Sequence, residues 1–335
     1  MPADALALPD PDRALALLAS HDVLLLAVSG GPDSVALMLL AAEWSQRAAK
    51  RIEVATVDHG LRAEAAQEAL RVGEWSADLG FVHHILRWEG EKPTTRVQER
   101  ARAARYRLLC DCARGIGASA IVTAHHADDQ AETILFRLTR GSAIAGLAGM
   151  AAASRLDGLA LLRPLLGLRK QTLEALCAAR GRAFLRDPSN ENPAYARVRL
   201  RRLGGLLDEQ GLGVEALLRL GARAARAEEA LAVAAAQAAA ALPAARGERV
   251  FEVAAAPLQS LPREILQRVI AGEIERIGAS APRLERQERM CERLAEALVV
   301  GAPFKATLGG AAITLARDRL TIRPEPPRQS RAATR

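Results

Sequence analysis

A doubly wound α/β fold with a mainly parallel sheet is predicted for the N-terminal part of this chain, followed by a second, mainly helical domain that ends in a small β unit. Three observations carry this. From Asp22 to about Arg186, short apolar runs alternate with longer helical patterns, as in repeated βαβ units. A glycine turn, Ser29-Gly30-Gly31-Pro32-Asp33-Ser34, follows the first apolar run and opens a helix. The strand signal stops after "RDPSNENPAYARVRLRR", and Val214 to Leu242 is dominated by Ala, Leu, Arg and Glu.

The apolar runs Val23–Val28, Ile52–Val57, Val82–Leu86, Ala120–Ala124 and Leu159–Arg163 predict strands, and the patterns over 33–49, 64–79, 96–114, 128–140 and 168–180 predict the helices between them. In such a fold ligands lie beyond the carboxyl ends of the strands. Past the helical stretch at 214–242, "LPAARGE" at 242–248 reads as a linker. Two amphipathic stretches follow, Pro257–Ile277 and Leu284–Val299, and "FKATLGGAAITLARDRLTIRPE" alternates in strand fashion around turns. The final "PPRQSRAATR" is polar and basic, so a disordered tail is expected. The expected domains are 1–205, 206–325 and a tail at 326–335.

With 335 residues, half of them apolar, the chain can bury more than one core. A formal charge of +7 suits a polyanionic partner. The cysteines at 110, 112, 177 and 291 make neither a disulfide framework nor a zinc pattern, so a reducing cytoplasm is the expected location. The N-terminus lacks a basic segment followed by an apolar one, and Val23–Val28 is too short to span a bilayer, so no membrane role is expected.

The chemistry centres on the glycine turn. Its backbone N–H groups and the positive end of the helix converge on one point, which makes an anion site. Ser29 and Ser34 add hydroxyls, and Gly30 and Gly31 let a phosphate approach the backbone. A Walker loop would end in Lys-Ser/Thr, whereas Pro32-Asp33-Ser34 stands here, which argues against ordinary cleavage between the β and γ phosphates.

The SGGxDS turn after the first strand resembles the pyrophosphatase loop of enzymes that cleave ATP between the α and β phosphates. Further segments narrow the resemblance: "VDHGLR" from Val57, "ARAARYRLL" from Ala101, "TAHHADDQAETILFRLTRGSAIAGLAGM" from Thr123, "RPLL" from Arg163 and "DPSN" from Asp187, then Arg197, Arg199 and Arg201. In this order they look like the tRNA(Ile)-lysidine synthase family, over nearly all of 22–202. Each has a plainer reading. Asp129 and Glu132 suit any helix start, His125 and His126 could be structural, and Arg102 and Arg105 could be a solvated face.

The resemblance implies an adenine-nucleotide alpha-hydrolase-like fold and a ligase that joins L-lysine to the wobble cytidine of isoleucine tRNA with a CAU anticodon, through an adenylated cytidine, releasing AMP and pyrophosphate. It implies ATP as co-substrate with Mg²⁺. Ser29, Gly30, Gly31, Pro32, Asp33 and Ser34 would bind ATP, and Val57, Asp58 and His59 would line adenine and ribose. Asp33 would hold Mg²⁺ or orient the amine. Glu132, with Asp129 beside it, would take the proton of the lysine amine, and Arg105 and His125 would stabilise charge on the phosphate. Arg197, Arg199 and Arg201 would contact RNA phosphate or the α-phosphate. The expected partners are that tRNA and L-lysine, with a homodimer as one assembly open to the chain. The sequence departs from the family pattern at Ala124, Ala143 and Val198. Two alternatives stay open on the same loop: a tRNA thiolase, for which Cys110 and Cys112 would have to be reactive, and a catalytically silent RNA-binding protein.

Overall fold

A six-stranded sheet, five strands parallel and one antiparallel at its edge, organises the N-terminal part of the molecule. The structure is a computed structural model that describes residues 7–60, 64–90, 92, 95–185, 196–280 and 283–326, with the backbone only at 196–199, 201 and 202.

A short helix α1 (Pro11–Ala14), capped by Asp10, and a 3-10 turn at Ala16–Leu18 lead into β1 (Val23–Ala27). Helix α2 (Pro32–Ala48) starts with Pro at its first turn, where a missing N–H costs nothing, and ends at Ala49 in the left-handed region. Its apolar residues run all round, and ten of its 17 residues are buried. Then come β2 (Arg51–Asp58), α3 (Ala65–Asp78), β3 (Val82–Arg87), α4 (Val97–Gly115), β4 (Ala120–Thr123), α5 (Ala127–Leu138), α6 (Ile144–Leu147), β5 (Ala153–Leu156), β6 (Leu159–Leu162) and α7 (Lys170–Ala179).

The strand order β3-β2-β1-β4-β6-β5 puts β1 between β2 and β4, with Leu26 opposite both Val54 and Val122. Chain direction across the sheet reverses between β1 and β4. That switch point is where loops leave the sheet in opposite directions and a crevice opens. One face of the sheet packs on α2, α3 and α7, through Leu37, Leu40, Val72 and Leu173; the other packs on α4, through Leu109, Cys110 and Ala113 against Leu25, Ala55 and Ile121. The doubly wound expectation holds. Strand β5 was not expected: a turn with both Asp157 and Gly158 at positive φ folds it back antiparallel on β6.

Glu53 faces the α4 side of the sheet and is buried. Burial alone would raise its pKa, yet His84 Nε2 at 2.6 Å and Arg51 hold it below the ordinary glutamate value. A depressed carboxyl stabilises the fold above the unfolded pKa of about 4.3 and loses that contribution as pH falls through its folded value. Glu53→Gln is therefore expected to cost about 3 kcal/mol at neutral pH, with the gap to the parent shrinking below about pH 4 in denaturant melts across pH.

Helix α8 (Ala196–Glu209) and the start of α9 (Val214–Ala241) pack on α5 through Leu200, Leu207 and Leu217 against Ile134 and Leu135. By backbone contacts the chain divides into Met1–Arg140 with Ala148–Gly221, and Gly141–Leu147 with Ala222–Arg335. The expected boundary at 205/206 falls inside α8.

The second unit holds β7 (Ala245–Arg246), β8 (Phe251–Ala254), α10 (Ala255–Gln259), α11 (Arg263–Arg276), α12 (Leu284–Val300), β9 (Phe304–Leu308), β10 (Ala311–Ala316) and β11 (Arg319–Pro324). Its antiparallel sheet runs β7-β8-β11-β10-β9. Two-residue turns with positive φ at Gly309-Gly310 and Arg317-Asp318 make the hairpins. The "LPAARGE" linker contains β7, where Arg246 Nε donates to the buried Glu273 at 2.8 Å. The amphipathic stretch from Pro257 to Ile277 is divided near Pro262 between α10 and α11, because a proline cannot continue the ladder. Of the expected tail, residues 327–335 lie outside the described residues.

Candidate active site

The turn after β1 is preorganised. Val28 N–H donates to Ala55 O at 2.9 Å, fixing the strand end, and Gly30 takes φ +87°, open to glycine at little cost. Ser34 Oγ donates to Gly31 O at 3.0 Å and accepts from Ser29 N–H at 3.2 Å, with Ser29 Oγ at 3.3 Å. Both hydroxyls thus hold the shape of the turn as well as lining it. From the far side, Leu185 N–H donates to Gly30 O at 2.8 Å. A Cβ on Gly30 would meet Leu185 Cδ1 at 2.5 Å and Val72 Cγ2 at 3.1 Å, whereas one on Gly31 meets, among the described residues, only Ser29 Oγ at 3.7 Å. Gly30→Ala is expected to cost about 1–2 kcal/mol and to weaken ATP binding along with it, by thermal melts and calorimetry. Gly31→Ala is expected to melt as the parent does while losing ATP affinity, since its methyl group enters only the space in front of the turn.

Strand β4 ends one strand away, and its loop supplies the second half of the site. His126 caps α5, and its backbone N–H donates to Asp129 Oδ2 at 3.2 Å. Three carboxylates surround the buried imidazole: Asp33 and Asp129 lie 3.5 Å from Nε2, and Asp128 lies 3.5 Å from Nδ1. Burial works against a charged ring, but Asp128, Asp33 and Asp129 win and push its pKa up to about 10. His126 is therefore an imidazolium whose Nδ1–H is directed at Asp128, and the approach of Asp129 N–H to Nδ1 at 3.4 Å is a contact rather than a strong bond. Asp128 is the structural member. It accepts from Lys170 N–H at 2.8 Å and from Arg169 at 3.1 Å, and despite burial these bonds, with His126, hold its pKa well below the usual carboxylate range.

Asp33 and Asp129 are differently placed. Asp33 Oδ1 is buried without a hydrogen-bond partner among the described residues. Burial raises the pKa of Asp129, with Glu132 and Asp33 adding to the effect against His126. Asp129 and Glu132 at the start of α5 thus form an acidic group with Asp33, which the glycine turn and the first turn of α2 contribute. Among the described residues, no three His, Cys, Asp or Glu groups are placed to hold a metal by themselves. The orphaned Asp33 oxygen fits the mode in which Mg²⁺ takes one or two carboxylates and draws its other ligands from phosphates and water.

The neighbouring His125 has the opposite surroundings. Burial, then Arg163, Arg105 and Arg102, bring its pKa down to about 3, so it is a neutral ring whose Nδ1 sits 2.8 Å from Thr123 Oγ1. On α4, Arg102 and Tyr106 join through Nη2 and the phenol oxygen at 3.2 Å. The positive charge of Arg105, also on α4, disfavours the protonated form of both His125 and His59.

At the end of β2, Val57 is half-buried, and buried Asp58 accepts from Gly60 N–H at 2.8 Å, so that its carboxylate shapes the turn. His59 Nδ1 is buried without a partner among the described residues, and its ring meets Trp88 edge-on at 6.2 Å between centroids. Burial and Arg105 lower its pKa. The backbone of Arg197, Arg199 and Arg201 lies in α8; their side chains, and the whole of Asp187–Asn190, lie outside the described residues. Sequence reasoning did not give His126 its central place, nor single out Arg163 as a charge beside His125. The "RPLL" segment at the end of a strand was the available signal for the second.

A family model described as a PP-loop domain matches residues 10–204. A tRNA(Ile)-lysidine synthase of Methylobacterium sp. is 51% identical over 91% of this chain and 89% of its own length. Proteins of the same name from Bradyrhizobium sp. and Rhodopseudomonas palustris are 45% and 46% identical, over 96% and 92% of this chain and 95% and 92% of theirs. Among solved structures, a U34-tRNA thiolase from Methanococcus maripaludis with its [4Fe-4S] cluster superposes with a TM-score of 0.54 at 14% identity, over 64% of this chain and 77% of that one, a likeness of fold.

Proposed function

The chain belongs to the tRNA(Ile)-lysidine synthase family, and we propose accordingly that it joins free L-lysine to the wobble cytidine of isoleucine tRNA bearing a CAU anticodon, at the expense of ATP. The observation that carries this is the meeting of a glycine turn without a Walker lysine and an acidic group at the switch point of the sheet. The turn receives the pyrophosphate end of ATP through its N–H groups and the end of α2. The cytosine C2 oxygen attacks the α-phosphate and pyrophosphate leaves. The lysine ε-amine then displaces AMP from C2.

Asp129 and Glu132 supply the negative field that a lysine ammonium needs, and Glu132 takes the proton that the amine must lose before attack. Arg105 and the neutral His125 face the phosphate, and His59 and Val57 face the base and ribose. Asp33 would hold Mg²⁺, which when bound would lower the charge of the phosphates, or orient the lysine amine. Arg197, Arg199 and Arg201 contact phosphate, and the unit from Ala222 onward grips the tRNA away from the anticodon. The reaction takes place in the cytoplasm, where tRNA and free lysine meet, with a homodimer as the assembly to test by sedimentation. No helix among the described residues is long and apolar enough to cross a membrane.

The thiolase alternative finds little support. Burial raises the pKa of both Cys110 and Cys112, the reverse of what a reactive thiol needs. The test is mass spectrometry of nucleosides from an unmodified transcript incubated with the protein, ATP, Mg²⁺ and labelled L-lysine. Label in the wobble cytidine, with AMP released only when tRNA is present, is the expected result. Label absent from a preparation that binds ATP would overturn the reading.

A further inference from the structure

Trp88 is placed unlike the other two tryptophans. Trp44 is buried in α2, and Trp75 on α3 packs against the core on the same side of the sheet. Trp88 belongs to none of the apolar clusters among the described residues. It follows the last residue of β3 and is half-buried, and its N–H donates to Asp58 O at 2.9 Å. That bond carries the parallel pairing of β2 and β3 one residue further, and it holds the indole at the carboxyl end of the sheet, where ligands of such folds lie.

Polar groups surround the ring. Lys92 Nζ stands 4.6 Å from its centroid, and the same ammonium donates to Trp88 O. Among the described residues, the partners of Lys92 are the ring and that carbonyl, neither of them an acid. Gly60, at φ +58°, brings the turn after β2 close to Lys92, so that a Cβ there would lie 3.4 Å from Lys92 Cε. On the same turn, His59 meets the indole with its ring plane at 88° to it. A neutral imidazole offers one donor and one acceptor, which is what the edge of a base requires, and the buried Nδ1 is the ring atom still to be paired.

Every nucleobase has a π-face, and stacking one on an aromatic ring outweighs a partly solvated contact between lysine and that ring. Lys92 can therefore yield the indole face to a base, while its flexible stem keeps the ammonium near enough to pair with a phosphate. We propose that Trp88 is a stacking platform for a nucleobase, with His59 bonding to the edge of that base and Lys92 moving from the ring to a phosphate of the same ligand. Two sources carry this chemistry: the adenine of ATP, and an unpaired base of the tRNA loop. Only the choice of these two sources rests on the function proposed above.

The test compares Trp88→Ala, Trp88→Leu and Trp88→Phe in the full chain, measuring binding of ATP without RNA and of unmodified tRNA without ATP. Trp88→Ala is expected to lose about tenfold or more in affinity for one of these ligands. Phenylalanine restores most of the loss because it restores a ring, and leucine, which fills space without a π-face, does not. A loss confined to ATP, with the same loss for adenosine and none for inorganic pyrophosphate, assigns the adenine. A loss confined to tRNA assigns a base of the loop. Unchanged affinity for both ligands in Trp88→Ala overturns the platform, and so does equal recovery in the leucine and phenylalanine variants, which would make Trp88 a matter of packing. Fluorescence keeps the test decisive where Trp88→Ala folds poorly. Saturating ligand is expected to quench emission in the parent that Trp88→Phe lacks, and a parent whose emission responds to neither ligand overturns the proposal. A parent chain that forms no lysidine, yet binds ATP or RNA through Trp88, retires the reaction and keeps the platform.

Discussion

Asp33→Asn is expected to cut lysidine formation by about a thousandfold while the protein remains folded. The substitution keeps the volume and removes one charge from a group where His126 still has Asp128 and Asp129, so the imidazolium loses a partner without being stranded. The consequence falls on chemistry because the orphaned Oδ1 is the atom in position to meet a ligand. Which ligand is read from the kinetics. If the carboxylate holds Mg²⁺, the concentration of Mg²⁺ needed for half-maximal rate rises and the KM for lysine stays put. If it holds the amine, the two results exchange. Turnover within tenfold of the parent would remove Asp33 from the site.

Glu132→Gln is expected to lower kcat by about 10²–10⁴ with ATP affinity unchanged. The residue sits beside Asp129 on the first turns of α5, where the lysine ammonium would be drawn in. Its pH profile gives the sharper test. An amine with an ordinary pKa near 10.4 is almost wholly protonated at neutral pH, so without a base the rate should climb about tenfold per pH unit toward that value. The parent should show no such climb. A flat profile in Glu132→Gln, or a rate equal to the parent with saturating lysine, would assign the proton to another group.

The sheet was legible because its strands are continuous apolar runs, the pattern of strands covered on both faces. Five were placed within a residue or two, and the glycine turn announced the switch point. Strand β5 was missed because Ala-Ser-Arg-Leu carries little apolar signal, although the Asp157-Gly158 turn beside it is a strong hairpin mark. Strand β8 was missed for a related reason: Phe251 and Val253 are its only buried residues, and the strand gains its place from β11 rather than from its own pattern. At the site, the family resemblance named His125, Asp129 and Glu132, but the sequence could not tell two adjacent histidines apart. One becomes a cation among carboxylates, and the other stays neutral among arginines. That distinction depends on Asp33 and Arg163, which lie far away in sequence, and no local pattern contains it.

The position of β1 also bears on how the chain is made. Synthesis runs from the N-terminus, so β2 is available to pair with β1 before Ala120–Thr123 has emerged to cover its other edge. During that interval the apolar Val23–Ala27 strand has one open side, the kind of edge that recruits strands from other chains. The nascent protein is also chemically mute, because a glycine turn without His126, Asp129 and Glu132 can hold a nucleotide but has nothing to spend it on. A strand that lies inside the finished sheet is thus an edge for as long as β4 is unmade.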